Sequence, residues 1–312
     1  MTYPQTRIAR SRWMLPTVAI YAAIVCLAEG VVTQQLWLQI ILLAVSTLMI
    51  AELNNANSLI RIYSRTVSSS FLIMTLMAIF LLPSNKVAVT QLTVICFFLF
   101  LFRAYQNSSA TGWVFYAFCS LGITSIVFVQ VLFFMPILWI LMATNVLAFS
   151  ARTFFASILG VIAPYWFVGA YMFFTNDLDF LPRHFIELAQ LGPVFDLSIL
   201  DEHRLITGAF ILLLAIIGSV HFWIYSYLDK IRTRMIYEIL IILDACCFVF
   251  IVLQPQHFDV LLAMNILITA PIIGHYLALS HTKVSNICFF IIIALALLIT
   301  VYNLWIPSPI FS

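Results

Sequence analysis

Charge is what this chain has least of. Asp, Glu, Lys and Arg make up 8% of its 312 residues and apolar types 64%, whereas a soluble globular domain carries about 25% charged residues. A water-soluble core cannot hide that much apolar surface. Glycine is scarce too, with nine residues and no GxxxG pair, so the small-residue signature of helix pairing in membranes is missing. No internal repeat stands out, which removes one mark of secondary transporters. The six cysteines (Cys26, Cys96, Cys119, Cys246, Cys247 and Cys288) all fall in apolar runs without CxxC or Cys/His spacing. They imply neither a disulfide framework nor a metal site. No Walker loop, Rossmann glycine pattern, HExxH or GxSxG is present, so no cofactor is implied. A net charge of only +2 argues against nucleic acid.

What the chain has in quantity is long apolar runs. Stretches of roughly 17–23 residues recur, each long enough to cross a ~30 Å hydrocarbon layer as a helix. Breaks at polar, charged and proline residues give helices near 13–29, 35–53, 67–83, 87–103, 112–129, 131–150, 153–174, 205–227, 235–254, 259–280 and 285–306. The expected fold is therefore all-α, a polytopic transmembrane bundle of about eleven spans forming a single integral membrane domain over residues 1–312. The basic start followed by an apolar run lacks a small-x-small cleavage site, and it reads as an uncleaved first helix.

Lys and Arg set orientation, because short cytoplasmic loops keep positive charge. With the N-terminus inside, Arg7, Arg10, Arg12, Arg61, Arg65, Arg103, Arg152, Lys230, Arg232, Arg234 and Lys283 fall on the cytoplasmic side, and Lys86, Arg183 and Arg204 outside. Eleven against three predicts a cytoplasmic N-terminus and an outside C-terminus, in a bacterial inner membrane. The longest outer loop, 175–204, carries six acids (Asp177, Asp179, Glu187, Asp196, Asp201 and Glu202) against two arginines. Its segment LPRHFIELAQLG has Pro near a helix start and Gly at its end, which predicts a short interfacial helix.

Three groups of polar residues are candidates for chemistry. Asp244 sits inside EILIILDACCFVFIVLQ (238–254), and about nine residues of helix put it roughly 13 Å from the inner edge. His221, on the preceding span, lies at similar depth, and His275, Asn145 and Glu238 share that inner half. Intramembrane ionisable groups usually face a bundle interior or a water-filled cavity, so Asp244 and His221 are candidate proton or cation handlers. Alternatively Asp244 is hydrogen-bonded to a neighbouring helix as structural glue.

The second group lies in ELNNANSLIRIYSRTVSSS (52–70), where Asn54, Asn55 and Asn57 stand beside Arg61 and Arg65. Arginine presents a fork of donors that suits phosphate oxygens, so a lipid-linked pyrophosphate or an anionic headgroup would fit here. The plainer alternative is a turn whose arginines only set topology. The third group is the outer loop, where Arg183, His184, Glu187, His203 and Arg204 are types a transferase uses for acid–base work, unless the loop is simply solvated. Pro136, Pro164 and Pro271 fall within expected spans, where interrupted helices free backbone carbonyls.

The stretches AELNNANSLIR (51–61), LFRAYQNSSATGWVFYAFCSLGITSIVFVQVLFFMPILWILM (101–142) and RTFFASILGVIAPYWFVGAYMFF (152–174) together resemble a family of uncharacterised inner-membrane proteins of Bacteroidetes, with an Asn-rich turn and an Arg-then-Gly-helix segment. That family brings no activity with it. The middle stretch also looks like the core of membrane glycosyltransferases that use lipid-linked sugars, with Gly112, Pro136, Arg152 and Pro164-Tyr165-Trp166 in the places of that core's Gly-led, P-x-L and Arg-started helices. Those enzymes carry a catalytic acid in a long first outer loop. Here that loop is the short EGVVTQ (29–34), with Glu29 its sole acid, so the resemblance implies a non-catalytic role.

The expectation is an inner-membrane protein of the cell envelope, surrounded by lipid, that handles a lipid-linked or membrane-embedded substrate of a glycan pathway. The alternatives are a cation- or proton-coupled permease using Asp244 and His221, and a structural subunit with envelope protein partners.

Overall fold

A chain this apolar meets its backbone hydrogen-bonding demand in lipid only within helices or a closed barrel, and helices are what it forms. A computed structural model describes residues 3–175, 179–190 and 192–305. Asp177, in the outer loop, and residue 306, at the end of the eleventh expected span, lie outside them. The described residues contain no strand. Their α-helices are α1 Pro4–Ala9, α2 Met14–Ala28, α3 Trp37–Asn57, α4 Thr66–Met77, α5 Asn85–Leu101, α6 Thr111–Val127, α7 Met135–Thr144, α8 Ala151–Thr175, α9 Phe180–Ala189, α10 Glu202–Tyr225, α11 Ile231–Leu253, α12 Phe258–Leu279 and α13 Lys283–Trp305. Seven of these, with their short flanking turns, are long and apolar enough to cross a membrane, and four shorter apolar helices join them. The protein is an integral membrane protein of the multi-pass helical type.

Pro136 does not interrupt a helix. It stands in the first turn of α7, after a 3₁₀ segment at Val129–Phe134, where its missing N–H costs nothing. Pro164 and Pro271 do lie inside α8 and α12.

The chain divides into two compact units, one of Met1–Ala88 with Phe195–Ser312 and the other of Val89–Val194. In the first, α12 is buried along almost its whole length, as a helix apolar all round must be. The helices α4, α10 and α11 pack against it. At one end of this unit the Gln5 amide donates to Leu277 O (2.9 Å) and Ser280 Oγ (3.0 Å), and Ser64 Oγ donates to Ala9 O at 2.6 Å. This ties α1, the α3–α4 connection and the end of α12 together. At the other end Asn303 Nδ2 donates to Met77 O at 2.7 Å, joining α13 to α4.

The second unit is built on α6 against α8. Gly122 and Gly160 make that contact close: a Cβ added at Gly122 would lie 2.6 Å from Val161 O, and one at Gly160 would lie 2.6 Å from Phe115 O. Two single glycines on facing helices thus do what a GxxxG pair does on one helix. Thr93 and Thr124 share a hydrogen bond at 2.7 Å that links α5 to α6.

Candidate functional site

Helix α3 ends because its last turn closes on itself. Ser58 adopts the left-handed conformation (φ 50°), and the N–H groups of Ser58 and Leu59 donate back to Asn55 O and Asn54 O. This is the usual way a helix satisfies its last carbonyls. Asn54 holds the chain that follows, with Oδ1 accepting from Ile60 N at 3.3 Å and Nδ2 donating to Ser64 O at 3.5 Å. Ser64 Oγ then accepts from Thr66 N at 3.2 Å and so starts α4.

This folded connection and the turn before α11 enclose a cavity of about 450 Å³. The wall from α3 is Asn54, Asn55 and Ser58; the connection adds Arg61 and Tyr63, and the turn adds Asp229, Lys230 and Thr233. Helix α11 begins at this wall, capped at Lys230 with no side-chain hydrogen bond and with no acid in its first turn. Free N–H groups at a helix start favour an anion, and here Lys230 and Arg232 add charge of the same sign.

One acid sits among these cations. Asp229 is buried, and its Oδ2 accepts from His275 Nε2 at 2.9 Å, while Oδ1 lies 3.9 Å from Arg61 Nη1. Its carboxylate is thus hydrogen-bonded by His275 on one side and faced by the Arg61 guanidinium on the other. From the sequence the turn before α11 is notable only for its cations, Lys230, Arg232 and Arg234. The histidine that meets Asp229 is 46 residues away, and no local pattern announces that contact.

The sequence-predicted groups divide as follows. Asn54, Asn55 and Arg61 line the cavity. Asn57 faces away to accept from Arg232 Nη2 at 2.8 Å, and Arg65 lies over the Tyr63 ring at 5.6 Å.

His221 and His275 come together, with ring centroids 5.5 Å apart, and Tyr225 and Tyr276 also lie against the His221 ring. The Nδ1 atoms of both histidines are buried without a hydrogen-bond partner. Asp244 is not bonded to His221. It accepts from Thr269 Oγ1 of α12 at 3.0 and 3.2 Å. The Asn265 amide, with its nitrogen turned that way, donates to Asp244 Oδ1 at 3.0 Å. Thr269 and Asn265 escaped the sequence reading because neutral residues in an apolar helix carry no signal of their own. Glu238 is half-buried on α11. Asn145 belongs to the second unit, at the end of α7, where Thr144 Oγ1 donates to its Oδ1 at 2.7 Å.

The outer-loop candidates do not form one group. Arg204 donates to Asp259 at 2.7 and 3.0 Å and to Asp201 at 2.7 Å, and it lies over the Phe80 ring. His203 stacks on Tyr302 and donates from Nδ1 to Asn303 Oδ1 at 2.9 Å. Arg183 pairs with Asp179 on the surface. In the second unit the buried His184 donates to Ser125 O at 2.8 Å, and the Glu187 carbonyl accepts from Gln130 at 3.4 Å. Among the described residues no cluster of His, Cys, Asp and Glu is arranged to hold a metal ion.

Comparison of the chain with family models, curated proteins and solved structures finds no match.

Proposed function

We propose that this is a bacterial inner-membrane protein of the cell envelope, with about eleven spans, that binds the phosphate-bearing head of a lipid-linked substrate at its cytoplasmic face. The observation that carries the reading is the cavity between the α3–α4 connection and the start of α11. Its wall combines Arg61, Lys230, two asparagine side chains and an uncapped helix N-terminus. Those donors suit phosphate oxygens, while the one acid, Asp229, is already held by His275 and Arg61.

The cytoplasmic assignment follows from charge. Within the first unit, the end that bears the cavity carries Arg7, Arg10, Arg12, Arg61, Arg65, Lys230, Arg232, Arg234 and Lys283, and the opposite end carries Lys86 and Arg204. Nine against two follows the positive-inside rule. The four shorter apolar helices, at Met14–Ala28, Thr66–Met77, Thr111–Val127 and Val129–Thr144, support the count of eleven. A binding role agrees with the likeness to membrane glycosyltransferase cores and with the short first outer loop, whose sole acid is Glu29.

The test is binding of inorganic pyrophosphate to purified protein in nanodiscs, with Arg61→Ala/Lys230→Ala as the comparison. The double variant should bind at least about tenfold more weakly, a loss of about 1.4 kcal/mol. Equal affinity in a folded double variant overturns the reading.

A second reading, a proton- or cation-coupled permease, is favoured by one observation. Asp244 is buried at 3% exposure with only neutral donors around it, so its charge must be met by a proton or a cation. Loss of pH-driven uptake in an inserted Asp244→Asn variant would support that reading; unchanged uptake would remove it.

A further inference from the structure

A second opening lies on the same unit. Helices α2 and α3 each pack on α4, and between them runs an apolar groove of about 510 Å³ floored by Leu72. Ala19, Ala22, Ala23 and Ala44 open space between larger apolar side chains such as Leu15 and Ile40, and Thr47 is its one hydroxyl. That hydroxyl is already used, since it donates to Leu43 O at 2.8 Å. The groove therefore offers nothing to a polar ligand and a smooth channel to a hydrocarbon chain.

The groove and the anion cavity lie along one stripe of α3. The groove takes Trp37, Ile40, Leu43, Ala44, Thr47 and Leu48 from that helix, and the cavity takes Asn54 and Asn55, with Ser58 just past the helix end. The helical positions recur every three or four residues, which is the spacing of a single helix face, with the buried Ala51 between the two openings. Over seven residues such a stripe drifts by only about 20°. From Asn54 back to Trp37 is 17 residues, or about 26 Å of helix. That is most of a ~30 Å hydrocarbon layer and well beyond one leaflet.

We infer that the ligand is a lipid phosphate with one long chain, its phosphate head in the cavity at Arg61 and Lys230 and its chain in the α2–α3 groove. This rests on the anion-binding reading above and adds the class of lipid. One groove accommodates one chain, which disfavours a two-chain phospholipid. A groove reaching past the middle of the membrane favours a polyprenyl-type chain over a fatty acyl chain confined to one leaflet.

The experiment compares inorganic pyrophosphate, geranyl diphosphate and undecaprenyl diphosphate in nanodiscs of zwitterionic lipid. The proteins are wild type, the groove-filling variants Ala23→Phe and Ala44→Phe, and Arg61→Ala/Lys230→Ala. Both alanines are exposed in the groove, so an added ring has open space, and either variant serves if the other is poorly made. Wild-type affinity should rise at least tenfold from pyrophosphate to undecaprenyl diphosphate. The groove variants should lose that rise and keep wild-type affinity for pyrophosphate. If pyrophosphate binding depends on Arg61 and Lys230 but chain length and groove filling change nothing, bulk lipid alone fills the groove and the inference is overturned while the anion site stands. If no probe responds to the Arg61/Lys230 change, the anion site fails and the inference falls with it.

Discussion

His275, on the buried helix α12, donates to Asp229 in the turn before α11 at 2.9 Å, with both side chains almost fully out of solvent. This bond fixes one wall of the anion cavity to the core of its unit. Asp229 also faces Arg61 across 3.9 Å, so the same carboxylate restrains the side chain expected to meet phosphate.

Removing that carboxylate should therefore damage both fold and site. Deleting the acceptor leaves the buried His275 Nε2 without its partner, which costs about 1–3 kcal/mol, so Asp229→Ala should lower the thermal midpoint of the purified protein. Asp229→Asn keeps an oxygen that accepts from His275 and should lose much less. A thermal shift series comparing the two variants checks this. Equal losses would mean that neither the filled space nor the oxygen offered to His275 matters, and that the carboxylate's charge beside Arg61 carries the stabilisation.

The α6–α8 contact depends on two hydrogen atoms. A side chain at Gly160 meets Phe115 O and the Phe118 Cβ, and one at Gly122 meets Val161 O. Backbone cannot yield as a flexible side chain can. Gly160→Val should cost about 1–3 kcal/mol through overpacking, read as a lowered midpoint and earlier proteolysis within Val89–Val194. A fully stable Gly160→Val protein would show that α6 and α8 can separate without penalty.

Arg204 was expected among acid–base candidates of the outer loop, but its guanidinium is committed to Asp259 and Asp201. A bidentate fork is not replaced by an ammonium. Both Arg204→Ala and Arg204→Lys should lower stability, by about 1–3 kcal/mol for alanine, because Arg204 is only partly shielded from water. Thermal unfolding in detergent measures it. A variant of unchanged stability that lost a surface activity would return Arg204 to the catalytic candidates.

The contrast between what sequence did and did not reveal has a physical basis. Most helices were legible because apolar runs and proline, glycine and charged breaks are local, although α4 stops at Met77 and α7 at Thr144, each six residues short of its expected end. The 3₁₀ segment before Pro136 was not, since a proline inside a run and a proline starting a helix look alike until the preceding turn is seen. The asparagine-rich connection was legible as a phosphate candidate from residue types alone, and Asn54, Asn55 and Arg61 do line one cavity. Its other half, Asp229 and Lys230, was hidden in a turn more than 160 residues further on. Depth alone put Asp244 and His221 at one level and left open whether they face each other. Depth fixes height along the bundle and leaves rotation free, and rotation turns Asp244 to Thr269 and His221 to His275.

That rotation leads to a prediction for Asp244 itself. Its two oxygens share the single Thr269 hydroxyl proton, and Oδ1 accepts from the Asn265 amide at 3.0 Å, which makes it a bridge between α11 and α12. Interhelical hydrogen bonds in membranes contribute about 0.6–2 kcal/mol. Thr269→Val removes a donor and should lower stability by about that amount, whereas Asp244→Asn keeps an oxygen for Thr269 and avoids a buried charge. Asp244→Asn should therefore leave the thermal midpoint unchanged or raise it. A marked loss on Asp244→Asn with little effect of Thr269→Val would show that the carboxylate serves something other than Thr269, and the coupled-permease reading would then gain on the binding one.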